Sequence, residues 1–171
     1  MSVDSTAYRD GILAAYQGEL IGESLYRELA NRSMVGDRKA KLHAIADVER
    51  HTHCKLKPIA ERLGINVNEA QWMRVVERRL SELESMAWPD FIDKALRDWP
   101  PYIARFEALK QLAPAGDADT IKWLVDHEAA LVAFARIEHD DMGSNASLRR
   151  LQTYLEETPD GRRELRTSGK L

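Results

Sequence analysis

The chain has one cysteine, Cys54, so no intramolecular disulfide framework can hold it together. No uninterrupted apolar run approaches the roughly eighteen residues that mark a membrane-spanning helix, so no membrane partner is expected. The opening segment, MSVDSTAYRD, lacks a basic stretch followed by an apolar one. That excludes a recognisable secretory signal and makes a reducing cytoplasmic setting the expectation. A basic surplus is also missing: 25 Lys and Arg stand against 28 Asp and Glu, a net charge of −3, which argues against nucleic acid as the main partner. There is no Gly-rich phosphate loop, no nucleophile elbow and no Cys-x-x-Cys pair. Strand-like alternation never persists beyond a few residues.

What is present is helical. A chain of 171 residues suffices for one well-buried core and is short for two, and 44% apolar with 31% charged residues is ordinary for a globular domain. Residues 9–32 contain no proline and are rich in Ala, Leu and Glu, which predicts a long helix. Residues 37–63 predict a second, with Asp37 as N-cap, Gly64 as C-cap and Pro58 as a kink or an end to the regular part. Residues 68–87 read as an amphipathic helix opened by Asn68, inserted at about 66–88. A short helix at roughly 90–98 meets Trp99-Pro100-Pro101, and another runs on to about Ala113. Residues 120–140 form the last long helix, and a small one at 147–156 precedes a polar, basic tail over about 158–171, expected to fray. Short loops between long helices predict an all-α, antiparallel four-helix bundle with additional short helices.

Carboxylates fall where apolar residues should be. At about 100° per residue, one face of the first helix collects Ile12, Tyr16, Glu19, Glu23, Tyr26 and Ala30. The second carries Leu42, Ile45, Glu49, Thr52, Leu56, Ala60 and Leu63, with His53 at the margin, and the last carries Ile121, Leu124, Glu128, Leu131, Val132 and Ala135. A single Glu on such a stripe is more often a flank or the partner of an Arg or Tyr. Three at mid-length on three helices point to a shared cation, because a lone carboxylate in an apolar core is expensive. Glu49 and His53, four apart, can reach one spot, and carboxylate with imidazole is ligand chemistry for iron, manganese or zinc.

These features resemble the ferritin-like superfamily, nearest to its rubrerythrin-type bundles. Gly18-Glu19 followed by Tyr26 and Leu29-Ala30 in the first helix, then IADVERHTH with Glu49, carry the likeness. The spacing repeats: thirty residues separate Glu19 from Glu49 and also Asp98 from Glu128. The resemblance covers residues 9–57 well and 90–138 loosely. It implies a dinuclear iron or manganese site and an oxidoreductase acting with dioxygen or peroxide on a small molecule the sequence does not identify. The family's Glu-x-x-His is not reproduced: Thr52 and Leu131 occupy the histidine positions, and His127 points about 100° away from Glu128. The predicted metal ligands are therefore Glu19, Glu49, His53 and Glu128, with Glu23 and Asp98 as possible extras. The alternative is a ferritin-like scaffold that has lost its metal and serves as a binding or assembly module.

Other residues are read more plainly. On a helix His51 and His53 face apart, so His51-Thr52-His53-Cys54 is a poor zinc site. His139 lies too far along its helix to join Glu128. The four tryptophans suit core or interface positions, and the 68–87 helix either completes the core, the favoured reading, or supplies a homodimer contact.

Overall fold

The computed structural model describes residues 3–157, and every regular element among them is an α-helix. In chain order these are α1 (Val3–Arg32), α2 (Gly36–Arg62), α3 (Glu69–Leu83), α4 (Trp88–Asp98), α5 (Pro100–Leu112), α6 (Ala118–Asp140) and α7 (Ala146–Glu157). None is long and apolar enough to cross a membrane. The expected tail at 158–171 lies outside the described residues.

Local sequence explains most of the boundaries. α2 ends as the glycine signal requires: Gly64 has φ of 61°, its N–H bonds to Glu61 O at 3.0 Å, and the Ile65 N–H bonds to Ala60 O at 2.9 Å. This left-handed cap satisfies two terminal carbonyls and tucks Ile65 against Ile59 and Ala60. Asn68 caps α3 by accepting from the Gln71 N–H at 3.1 Å. α2 continues through Pro58 to Arg62, close to the expected end; Pro58 and Cys54, four residues before it, are both exposed, so water can serve the carbonyl the proline leaves unbonded. One expectation is corrected. Asp37 does not cap α2; Val35 occupies that position, and Asp37 sits in the first turn bonded to Lys41.

Trp99 closes α4 with helical dihedrals and immediately precedes α5, so α4 and α5 form one column broken where Pro100 and Pro101 lack N–H groups. The direction of each column follows from what meets at its ends. At one end Asp117, opening α6, accepts from the Tyr8 hydroxyl at 2.8 Å and from Arg62 at 2.6 Å, and Gly11 abuts Leu109. At the other, Glu138 accepts from Lys41 and from the Trp88 indole N–H, both at 2.8 Å. Thus α1 and α6 run one way while α2 and α4–α5 run the other. Each of the contacting pairs α1–α2, α1–α5, α2–α6 and α5–α6 is antiparallel. α3 travels back along α1 between the end of α2 and the start of α4, burying Val76, Leu80 and Leu83 in the common core, while α7 lies on α2 and α6.

The apolar interior comes in two parts. One holds Tyr8, Ile12, Ala15, Leu56, Ile59, Phe106, Leu109, Ile121 and Leu124; the other holds Leu25, Leu29, Leu42, Ile45, Phe91, Leu131 and Phe134 with their neighbours. Between them on α1, α2 and α6 lie buried Glu19, Glu49, Thr52, His127 and Glu128.

The Lys41–Glu138 pair is wholly enclosed. Burial works to raise Glu138, yet hydrogen bonds from Lys41, Ser147 and Trp88 outweigh it and hold the carboxyl below its ordinary range. Removing only the cation strands a buried carboxylate, which costs roughly 3–5 kcal/mol, whereas an apolar pair of similar volume is close to neutral. Lys41→Met should therefore lower unfolding free energy in urea by about that amount. Lys41→Met combined with Glu138→Leu should recover most of it.

Candidate metal centre

α1, α2 and α6 each deliver a carboxyl to the layer that divides the core. Glu19 is 2% exposed, Glu49 8% and Glu128 7%, and His127 is completely enclosed. The His127 ring stands between two of the acids: Nδ1 is 3.5 Å from a Glu19 oxygen and Nε2 is 3.6 Å from a Glu49 oxygen. Neither nitrogen makes a hydrogen bond, nor does Glu19 Oε2. Ligand atoms of Glu19, His127 and Glu128 all lie within 4.8 Å of one another. Buried polar atoms are nearly always paired, so the unpartnered Glu19 Oε2 and His127 nitrogens call for a partner, and a cation taking one nitrogen of His127 with Glu19 and Glu128 fits this donor set.

α1 makes room for this layer. Gly22 lies one turn beyond Glu19, in a helix interior where glycine is unfavourable. A Cβ there would stand 2.5 Å from the Glu49 carboxyl carbon and 2.7 Å from each of its oxygens. The missing side chain is the seat of the Glu49 carboxyl.

Without a cation the layer is held by protons. Burial, with Glu49 next, pushes Glu19 well above the usual carboxyl range. Burial raises Glu128 strongly as well, and Glu49 is pushed up to about 7, again chiefly by burial, against the opposing pull of Glu19 and Arg79. The interaction between the Glu19 and Glu49 carboxyls raises Glu19 and lowers Glu49. Burial, helped by the nearby His51, drives His127 down to about 3, so the ring is neutral.

The residues expected from sequence divide. Glu19 and Glu128 belong to the convergent group, and Glu49 adjoins it through His127. His53 is placed elsewhere: Nδ1 lies 2.9 Å from Glu23, with the Tyr16 ring edge-on at 6.2 Å. Burial keeps this imidazole below its ordinary value despite Glu23 beside it. Glu23 also binds Arg27 at 3.2 Å, so the Glu23–His53 pair forms a separate seam between α1 and α2. Asp98 is exposed and paired with Lys94, so α4–α5 sends no carboxylate into the layer. His51 packs toward Trp123, near His127 but outside the convergent group, and His139 is exposed beside Asp140.

His127 is the residue that helical spacing pointed away from the site. The 100° argument assumes a narrow buried stripe, but α6 touches α2, α4, α5 and α7 and buries Val125, His127, Glu128, Ala130, Leu131, Val132 and Phe134. On a helix enclosed over so wide an arc, consecutive residues both face inward. The all-apolar run AALVAFA after Glu128 was the available signal.

A cavity of about 470 Å³ opens onto the layer between α1, α3, α4 and α5. Glu19, Glu49 and Glu128 form part of its wall, together with Tyr26, whose ring meets Trp99 edge-on at 6.3 Å.

The proton inventory sets a pH dependence. Between the ordinary carboxyl pKa and the raised native one, the native state holds a proton that the unfolded state has released, so stability falls as pH rises. His127 works oppositely, costing stability as pH falls from about 6.5 toward 3. Three acids outweigh one imidazole. In the presence of chelator the melting temperature should drop between about pH 5 and about pH 8, and Glu128→Gln should flatten that slope in the same thermal scans. Comparison of the chain with protein-family models, curated proteins and solved structures finds no match.

Proposed function

We propose that this chain is a ferritin-like, antiparallel four-helix metal protein. In it Glu19, Glu49, His127 and Glu128 hold one iron or manganese ion for reaction with dioxygen or peroxide. The observation that carries the reading is the set of orphaned atoms, Glu19 Oε2 and both His127 nitrogens, enclosed among three carboxyls. The order of directions supports the fold assignment: two antiparallel pairs joined by a single long return, α3, is the one-crossover connectivity of ferritin-like bundles. The donor set favours one ion over two. Thr52 and Leu131 stand at the family's histidine positions and Asp98 is engaged with Lys94, so four protein ligands remain.

The bound ion would supply one-electron redox chemistry toward an oxygen-derived oxidant. The chain's own contribution is positioning and proton handling. Glu19, Glu49 and Glu128 release protons as a cation enters, and His127, neutral across the physiological range, offers a nitrogen without first losing one. Burial raises the Tyr26 hydroxyl far above its ordinary value, so it stays protonated and can donate to whatever occupies the cavity, while Phe91 and Trp99 pack edge-on against its ring. Leu131, Ile21 and Phe91 on the same walls keep bulk water from much of that space.

A second reading, the metal-free scaffold, is favoured by the same two positions, Thr52 and Leu131, and by the ability of protons to neutralise the layer. Metal content after anaerobic Fe(II) or Mn(II) loading separates them. One tightly held ion per chain supports the centre, and none under either condition leaves the scaffold.

Two substitutions sharpen that test. Titrated with Mn(II), His127→Ala should lose affinity by at least the roughly 10–100-fold that loss of an outer-shell partner costs, while His53→Ala should stay within about threefold. Gly22→Ala should weaken Mn(II) binding about tenfold by displacing the Glu49 carboxyl. Its unfolding free energy should move by less than about 1 kcal/mol, because gained helix propensity offsets the crowding of a flexible side-chain end.

A further inference from the structure

We infer that the cavity between α1, α3, α4 and α5 is the route by which a cation reaches the central layer, and that Gly18 keeps its throat open. The inference rests on the metal-centre reading for the destination. The route itself follows from which groups the cavity touches.

Access comes first. His127 is completely enclosed and none of the three acids is more than 8% exposed, so an ion cannot reach them directly from solvent. The cavity of about 470 Å³ has Glu19, Glu49 and Glu128 on its wall, and one oxygen of the buried Glu19 is left without a partner. His127 is not part of that wall, so an entering ion meets the carboxyls first and the imidazole last. A second hollow, between α2, α6 and α7, is lined by none of the four residues. A water molecule takes up about 30 Å³ of liquid, so the first cavity has room for an ion that still carries part of its hydration shell. Acids on its wall outnumber bases, with Glu82 and Asp98 joining the three of the layer against Arg79, Lys94 and Arg105.

α1 gives this cavity a floor of small residues. Ala14, Gly18 and Gly22 are spaced four apart, which places them on one face of the helix, and all three line the cavity. Glycine is unfavourable in a helix interior, so each one calls for a reason. Gly22 seats the Glu49 carboxyl. Gly18 has no positive φ to accommodate, it is exposed, and a Cβ there would meet nothing within 4 Å. Neither backbone conformation nor packing requires it. What its missing side chain preserves is open cross-section on the way to Glu19.

The experiment follows Mn(II) entering and leaving the protein through the electron paramagnetic resonance of the free ion, with equilibrium affinity measured on the same samples. An obstruction on the path slows entry and exit alike and leaves affinity unchanged, because affinity depends only on the end states. Gly18→Phe should therefore slow association and dissociation each by about tenfold or more, with Kd within about twofold of the wild-type value. Ala40→Phe, an equally bulky change in the second hollow, should leave both rates within about twofold. Gly18→Leu, a smaller plug, should slow both rates to a lesser degree, and it carries the test if the phenylalanine variant does not fold. Unchanged rates in the Gly18 variants, equal slowing by Ala40→Phe, or a weakened Kd with unchanged association would each overturn the route, while Mn(II) binding by the wild-type chain still upholds the centre. A wild-type chain that takes up no Mn(II) defeats the centre and the route together.

Discussion

The interior of this protein is organised around the cost of placing ionisable groups where water cannot reach them. Four such groups, from α1, α2 and α6, meet at mid-height, and their burial determines much else. It explains why a glycine interrupts the middle of α1, since Gly22 clears the volume that the Glu49 carboxyl fills. It explains why His127 is neutral and the acids keep their protons when nothing else neutralises them. It also explains why the apolar core is two clusters, because a layer of carboxyls and imidazole cannot pack as hydrocarbon does.

The two ends of the molecule handle buried charge differently. Asp117 meets Arg62 and the Tyr8 hydroxyl, and Glu138 meets Lys41, Trp88 and Ser147. Each carboxylate there finds protein donors, so both junctions are complete without any ligand. The central layer is the exception, with Glu19 Oε2 and both His127 nitrogens buried and left without a hydrogen-bond partner. That contrast within one chain marks the central layer as the one place among these three where buried polar atoms lack partners.

Much of the architecture was legible beforehand. The helices, the caps at Gly64 and Asn68, and the placement of prolines in first turns follow from local rules that tertiary contacts did not override. Pro58 is tolerated inside α2 because its helix face is exposed, and the lost bond costs less beside water than in a core. In the site, Glu19, Glu49 and Glu128 were visible as charges on apolar stripes. His53 and His127 exchanged standing because helical periodicity reports angle within one helix, whereas enclosure depends on how many neighbours surround it. α2 presents His53 to an open seam beside Glu23, and α6 is surrounded. The buried Lys41–Glu138 pair was not signalled, because its members are 97 residues apart and neither position is distinctive alone.

The division of the core into two clusters bears on how such a chain can change over time. Substitutions separated by more than roughly 7–10 Å with no shared partners act almost independently. The cluster around Ile12, Leu56 and Ile121 and the one around Leu29, Ile45 and Phe134 are set apart by the polar layer, with Ile103 as a side chain that packs against both. Each half can thus drift by compensating exchanges among its own side chains while the other keeps its packing. A lineage could rebuild much of either half without disturbing the polar layer between them.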